Sequence, residues 1–277
     1  FGGHSDRHSD KLNDTFYHLI KAKRRAIMAD KCAICGADIN LIQTQRLADG
    51  KCICRKNCRQ KGFKVYDYVH GNLPGVKAHL AQVERGTRLW DHYFVPREKT
   101  KDKTQKLKRF GSYLYVAEDI GLMAFVQNDY KFMMFGKTTR ACVYRIADLR
   151  SYQYEEEIVR NADKTETKSL ARLSFINTEG LYEFVITMSS SKEYEKMKKY
   201  FDTLFGIQNT LGNAANVWKQ QMAAVKDITV GFHAAVRGEA DAEAKAEQAI
   251  NSLDAAIYGD RTEWIQRADA ALAAFDG

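Results

Sequence analysis

Five of the six cysteines lie in two short clusters, and their spacing predicts a metal site. The first cluster reads Cys-x-x-Cys-Gly and the second, after Asp49-Gly50, reads Cys-x-Cys-x-x-x-Cys; the cysteines are Cys32, Cys35, Cys52, Cys54 and Cys58. Two thiolate pairs joined by a short hairpin form the tetrahedral sulfur cage that Zn²⁺ prefers. Because a four-thiolate site leaves no coordination position for a substrate, we expect zinc to stabilise the fold rather than catalyse a reaction.

The second cluster offers three thiols for two ligand positions. We expect Cys54 to leave a strand and Cys58 to enter the first turn of the next helix, where the positive end of the helix dipole stabilises a thiolate. Cys52 shares the strand face of Cys54 and could replace it, and His70 is a more distant alternative. Exchange among three thiols would suit a redox or zinc sensor, but a spare buried cysteine is the simpler interpretation.

Composition and charge limit the class of protein. The chain has 277 residues and 45% hydrophobic content, enough for two or three modules with their own cores. Clustered cysteines are typical of metal binding in a reducing cytoplasm, the sequence contains no run of about eighteen apolar residues, and Phe1–Asp6 does not resemble the apolar region of a secretory signal. We therefore expect a soluble cytoplasmic protein.

The net charge of +8 is unevenly distributed, since residues 1–110 alone carry +13. This excess of positive charge would suit a surface that binds nucleic acid, anionic lipid or an acidic protein. The alternative is that it only keeps exposed helices soluble. The cations that could contact phosphates are Lys23, Arg24, Arg25, Arg55, Lys56, Arg59, Lys61 and those of Lys101–Arg109.

Hydrophobic periodicity divides the chain into five segments. We predict a basic amphipathic helix at 1–29, a zinc-binding module with helices at 30–95, including one at about 76–90, and a basic linker or exposed hairpin at 96–109. Residues 110–207 read as an antiparallel β domain closed by a helix, and 208–277 as an alanine-rich helical tail. The last tail helix begins with a predicted capping box of Asp260 and Glu263.

No catalytic group is nominated. Phe135-Gly136-Lys137-Thr138-Thr139 resembles the end of a phosphate-binding loop, but Lys131 replaces the required glycine and the flanks read as strands, so we predict a hairpin turn. The seven histidines form no His-Glu-x-x-His pair, and Glu155–157 reads as a solvated strand end or loop.

Two stretches resemble known families and together cover roughly residues 30–206. The Cys-x-x-Cys-Gly motif, the spacer ending Leu47-Ala48-Asp49-Gly50 and the second cysteine group resemble an uncharacterised bacterial zinc-ribbon-like family, in which this module commonly precedes a β domain. The passage from Arg145-Ile146-Ala147-Asp148 through Leu149 to Ser151-Tyr152 looks like the strand-to-strand step of bacterial pleckstrin-homology-like domains.

These resemblances imply an α+β protein: a small zinc-ribbon or treble-clef-like module with flanking helices, then an antiparallel β sandwich or barrel capped by a helix. They assign the ligand role to Cys32, Cys35, Cys54 and Cys58, although the family normally has Cys-x-x-Cys in the second position. Such β domains are usually binding platforms rather than enzymes.

We therefore expect a non-enzymatic, zinc-stabilised adaptor that binds a protein partner through the β domain and helical tail, with no small-molecule substrate identified. The alternative is a nucleic-acid-binding protein that uses the basic N-terminal half. A third hypothesis, ranked lower, is peripheral binding to anionic membrane through the same cations.

Overall fold

The computed structural model describes residues 30–130, 136–161, 164–206 and 259–277. It is an α+β protein whose chain separates into two compact units, residues 1–84 with 179–181 and residues 85–178 with 182–277. The helices predicted at 1–29 and between 208 and 258 lie outside the described residues.

The first unit is built from two short antiparallel hairpins followed by helical segments. Strand β1 (Asp30–Lys31) pairs with β2 (Asp38–Ile39), and β3 (Thr44–Arg46) pairs with β4 (Cys52–Cys54). A 3₁₀ turn at Leu41–Gln43 joins the hairpins, a π-type turn at Arg55–Arg59 follows β4, and helix α1 spans Leu73–Leu89. The division between the two units falls inside this helix, between Glu84 and Arg85.

Turn chemistry explains the second hairpin. Gly50 has a φ of +76°, a conformation that glycine adopts without strain. The Asp49 side chain accepts hydrogen bonds from the amides of Lys51 (3.1 Å) and Leu73 (2.9 Å). Asp49 therefore ties the hairpin turn to the start of α1.

The second unit contains two antiparallel meanders, with strand orders β5-β6-β7-β8 and β9-β10-β11. The strands are Lys108–Phe110, Leu114–Ala117, Leu122–Tyr130 and Lys137–Arg145 in the first sheet, and Leu149–Asn161, Lys164–Phe175 and Glu183–Met188 in the second. The remaining helices are α2 (Val95–Lys99), α3 (Ser191–Leu204) and α4 (Thr262–Asp276). The structure confirms the prediction that an antiparallel β region is followed by a helix in this part of the chain.

Strand β7 is buried on both faces. Leu122 and Ala124 join a cluster with Trp90, Phe94 and Ala268, whereas Phe125, on the opposite face, stacks on Phe184 with ring centroids 3.9 Å apart. Because neighbouring strand residues alternate in direction, this first sheet has one apolar side against the second sheet and another against helical segments.

Helix α4 covers the outer side of the first sheet. Trp264 donates from its indole nitrogen to the carbonyl oxygen of Leu204 (3.2 Å), and Tyr93 donates to that of Ala271 (2.7 Å). Buried Arg261 donates to the Leu149 carbonyl oxygen (3.0 Å) and lies over the ring of Phe205. Helix α4 is therefore part of the hydrophobic core of the second unit.

Three details differ from the predictions. The capping box is wrong, because Asp260 accepts from the amide of Thr262 (2.9 Å) while Glu263 pairs with Arg267. The helix predicted at 76–90 begins at Leu73 and passes through a wide turn, Trp90–Phe94, into α2. Glu155–157 lies within the 13-residue strand β9, which the hydrophobic pattern did not reveal.

The remaining two segments are structured as follows. Residues 96–109 are mostly exposed and contain the end of α2, a 3₁₀ turn at Lys103–Gln105 and the start of β5. The strand flanks predicted around Gly136 are confirmed by the β7–β8 ladder, which reaches the pair Tyr130 and Lys137. The predicted turn is too long, because Lys137–Thr139 belong to β8.

Candidate metal centre

Four cysteine thiols meet in the first unit. The Sγ atoms of Cys32, Cys35, Cys54 and Cys58 all lie within 4.8 Å of one another. The Sγ atoms of Cys32 and Cys58 are 3.7 Å apart, as are those of Cys35 and Cys54. Three of the four residues are buried, and Cys35 is exposed. These dimensions suit one metal ion held by four thiolates.

A tight turn positions the first pair. The Gly36 amide donates to the Cys32 carbonyl oxygen (2.8 Å), and the Cys32 amide donates to that of Ala37 (2.8 Å). Gly36 has a φ of +72°, so it can reverse the chain directly after Cys35 without a Cβ penalty. The turn thereby directs both thiols to the same side.

The second pair lies where strand β4 passes into the helical turn. Cys54 is the last residue of the strand, and the amide of Cys58, in the turn, donates to the Cys54 sulfur at 3.2 Å. The amide of Cys54 in turn donates to the Cys32 sulfur at 3.3 Å. Backbone amides that donate to sulfur stabilise thiolates and fix their orientation, as metal binding requires.

The environment shifts the pKa values of Cys32 and Cys58 in opposite directions. Burial alone would raise the pKa of Cys32, but amide donors from Cys35, Ile34 and Cys54 outweigh it and lower that pKa to about 6. Burial raises the pKa of Cys58, and hydrogen bonding with the neighbouring thiols raises it further. Crowded thiols cannot all ionise without a cation between them, so the arrangement suits a metal ion.

The two alternative ligands lie outside this cluster. Cys52 is buried in the hydrophobic core that surrounds the thiols, and its carbonyl oxygen accepts from the Ala33 amide (2.9 Å). His70 is exposed, with its Nδ1 atom 2.6 Å from an Asp67 carboxylate oxygen. The structure therefore brings together the four cysteines that the resemblance indicated.

Sequence reasoning missed a buried histidine next to the centre's core. His79 is fully buried and stacks on Tyr66, with ring centroids 4.3 Å apart. Its Nε2 atom accepts from the Phe63 amide (3.0 Å), so the neutral ring carries its proton on Nδ1. Burial lowers the pKa of His79 to about 4, which keeps the ring neutral and structural.

Only some of the cations predicted to contact phosphates lie among the described residues. Arg55, Lys56, Arg59 and Lys61 are all exposed around the helical turn that carries Cys58. Lys23, Arg24 and Arg25 lie outside the described residues, and the cations of Lys101–Arg109 belong to the second unit.

Within the described parts of the chain, every helix is too short or too polar to cross a lipid bilayer. Comparison of the chain with protein-family models, with curated proteins and with solved structures gives no significant match.

Proposed function

We propose that this protein is a non-enzymatic adaptor, stabilised by zinc, that binds an extended peptide along the open edge of strand β9. The observation that carries the proposal is the one-sided pairing of β9, which bonds to β10 and to no other described strand. An unpaired strand edge is a template for a further strand, and peptide recognition commonly uses it.

Zinc is the metal that best suits the cysteine cluster. Four thiolates are soft ligands, and a closed tetrahedral sulfur cage is typical of structural zinc. The order of turn, hairpin and helical turn supports a zinc-ribbon or treble-clef-like module. Such a site contributes folding energy and leaves no position for a substrate, which favours a binding role over catalysis.

The second unit supports a binding platform of pleckstrin-homology-like type. Its four-stranded meander, three-stranded meander and closing helix α3 follow one another without crossover connections. A rigid sheet closed by a helix presents edges and loops to a partner while its core stays intact.

The direction of the β9 backbone shows which groups face the open edge. The Tyr194 hydroxyl, on α3, donates to the Tyr152 carbonyl oxygen (3.0 Å), and the Tyr154 amide donates to the same hydroxyl. Because the amide and carbonyl of one strand residue point to the same side, the even-numbered residues direct these groups away from β10. Beyond Tyr194, the amides of Glu156 and Ile158 follow on that edge.

Charge narrows the partner to a peptide that contains lysine or arginine. Glu155 pairs with Arg172, on the neighbouring strand, with a nitrogen to oxygen distance of 2.9 Å. Glu156 and Glu157 are exposed at the same stretch of β9. Because Glu157 already lies opposite Lys168 in the β9–β10 ladder, Glu156 is the carboxylate that a basic side chain on the added strand would complement.

The experiment selects peptides from a displayed random library on the zinc-loaded protein and measures their affinity for two variants. Ile158→Pro removes an edge amide that does not bond to β10, whereas Ile158→Thr is the matched control that keeps it. We expect basic peptides whose affinity falls at least about tenfold for the proline variant and stays unchanged for threonine. Hydrogen exchange should show new protection of the Glu156 and Ile158 amides.

Two results would contradict the proposal. One is a library that yields no enriched peptide on folded protein. The other is a set of peptides that bind the proline variant as well as the original chain, or that protect amides elsewhere.

A further inference from the structure

We infer that the metal-binding unit carries a second, separate binding site: an apolar tip flanked by cations that docks on an anionic lipid surface. The tip is Leu41 and Ile42, and the flanking cations are Arg55 and Lys56. This inference is independent of the peptide-binding edge, because it concerns different residues in the other unit.

The tip displays two aliphatic side chains that the fold does not bury. Leu41 is 78% exposed and Ile42 is 83% exposed, whereas Ile39, Leu47 and Ile53 in the same two hairpins are buried. Two adjacent aliphatic side chains with this exposure cost solvation free energy unless a partner covers them. The pair therefore indicates a surface made for an apolar environment.

The tip is rigid rather than a loose loop. Asn40 accepts a hydrogen bond from the Gln43 amide through its side chain (3.0 Å), and the Thr44 hydroxyl donates to the Asn40 carbonyl oxygen (2.7 Å). These two bonds close a single 3₁₀ turn, Leu41–Gln43, on which both side chains project. A preorganised tip loses little conformational entropy when it inserts.

Hairpin register brings the tip and the chain segment that carries the two cations to the same end of the β3–β4 hairpin. Thr44, which directly follows the tip turn, lies opposite Cys54, and Arg55 and Lys56 come directly after Cys54. Both cations are exposed. The acidic residue before the tip, Asp38, lies opposite Lys31 in the β1–β2 ladder, so its charge is balanced locally.

The wider charge pattern agrees with an anionic surface. Residues 55–64 contain five cations and no acidic residue: Arg55, Lys56, Arg59, Lys61 and Lys64. Cations near the bilayer surface are attracted by anionic headgroups while adjacent aliphatic side chains enter the acyl boundary. A folded tip with this composition satisfies both requirements.

Lipid explains these residues better than nucleic acid does. Single-stranded nucleic acid is held by exposed aromatic rings on which bases stack. Among the described residues of the first unit, Phe63 and Tyr68 are buried and Tyr66 is half-buried against His79. The displayed groups are aliphatic instead, and aliphatic side chains gain from a hydrocarbon environment rather than from phosphates.

The test measures co-sedimentation of the zinc-loaded full chain with vesicles of phosphatidylcholine, alone or containing about a third phosphatidylserine. The tip variant is Leu41→Ser with Ile42→Ser, and the charge variant is Arg55→Gln with Lys56→Gln. Controls are Val69→Ser, which alters a valine that is 60% exposed, and Lys51→Gln, which alters a cation at the opposite, turn end of the β3–β4 hairpin. Metal content and circular dichroism establish that each variant is folded.

We expect binding to the phosphatidylserine vesicles that falls at least about tenfold in the tip variant and in the charge variant, and that is unchanged in both controls. Salt should weaken the binding of the original chain more than that of the charge variant.

Three results would overturn the inference. The first is absence of binding to the anionic vesicles, and the second is binding that the tip variant retains in full. The third is tighter binding to labelled DNA or RNA oligomers than to vesicles, with the tip variant unaffected, which would assign the cations to a nucleic acid.

Discussion

The Sγ atom of Cys32 lies 3.7 Å from that of Cys58, which is 26 positions further along the chain. The contact depends on the register of the β3–β4 hairpin, because that ladder sets where Cys54 and the following turn lie. The Cys54 amide then donates to the Cys32 sulfur, so backbone and side chains of distant segments converge on one centre.

Substitution of a clustered cysteine should abolish metal binding, whereas substitution of Cys52 should not. We expect Cys35→Ser to lose stoichiometric metal and to unfold the first unit, since binding free energy at such sites is folding free energy. Cys52→Ser should keep one metal ion per chain despite a stability loss of about 1–3 kcal/mol from a buried hydroxyl. Metal analysis by mass spectrometry and the charge-transfer bands of the cobalt-substituted protein provide the measurement. Full metal content in Cys35→Ser would contradict the assignment.

Acid should destabilise the first unit through His79. Its pKa of about 4 lies below the ordinary value of 6.5, so the unfolded chain binds a proton that the folded chain does not between these values. The free energy of unfolding should therefore fall as pH decreases through this window, by about 3 kcal/mol at pH 4 relative to neutral pH.

The control for this prediction is His79→Phe, which keeps an aromatic ring against Tyr66 but cannot titrate. Thiol protonation affects both proteins alike, so the difference between their unfolding curves isolates the histidine. Equal pH dependence of the two proteins would show that His79 does not contribute.

Gly86→Ala should destabilise the second unit although alanine is the better helix former. A Cβ at this position of α1 would approach the Ala141 carbonyl group and the Cys142 Cα atom of strand β8. Overpacking against a backbone costs about 1–3 kcal/mol, which exceeds the gain of about 1 kcal/mol from helix propensity.

Guanidinium unfolding of Gly86→Ala, followed by tryptophan fluorescence, gives the sign of the change in the free energy of unfolding. The exposed helical position Ala81, substituted as Ala81→Gly, reports the ordinary propensity difference without a neighbouring strand. A more stable Gly86→Ala protein would show that the helix can move away from the strand without loss.

Truncation of Trp264 should destabilise the second unit, whereas truncation of its neighbour should not. Trp264 is buried and donates to the Leu204 carbonyl oxygen, so Trp264→Ala should lower the free energy of unfolding by about 3–5 kcal/mol. Ile265 is 39% exposed on the same helix, and Ile265→Ala should change the free energy of unfolding by less than about 1 kcal/mol. Equal midpoints of chemical unfolding for the two variants would argue against a structural role for α4.

Local spacing alone predicted several elements. Two thiols separated by two residues and followed by glycine can face one ion wherever the segment lies, so Cys32 and Cys35 were identifiable from the chain. Strand alternation in β11 and the apolar stripe of α3 likewise depend on near neighbours, and both elements appear where their patterns indicate them. Short-range geometry is encoded by residues that are close in sequence.

The residue pattern indicated no more than a strand end or loop at Glu155–157, because β9 does not alternate as a half-buried strand does. Its inward positions include Tyr152 and Tyr154, whose hydroxyls donate to the carboxylates of Asp202 and Glu156. The strand then continues through the acidic run Glu155–157. Its extended form depends on the ladder with β10, a long-range pairing that overrides weak local preference.

By itself, the sequence determined which side chains could bind a metal, where the antiparallel β region lies, and that the last residues form a helix. Only the tertiary structure decided that Cys54 rather than Cys52 meets the first thiol pair, and that α4 covers a second apolar face of the first sheet. The continuous apolar run Leu122–Val126 requires cover on both faces, but a pattern of residues does not say which distant segment supplies it. That choice depends on complementary packing between residues far apart in the chain, which exists only after the chain has folded.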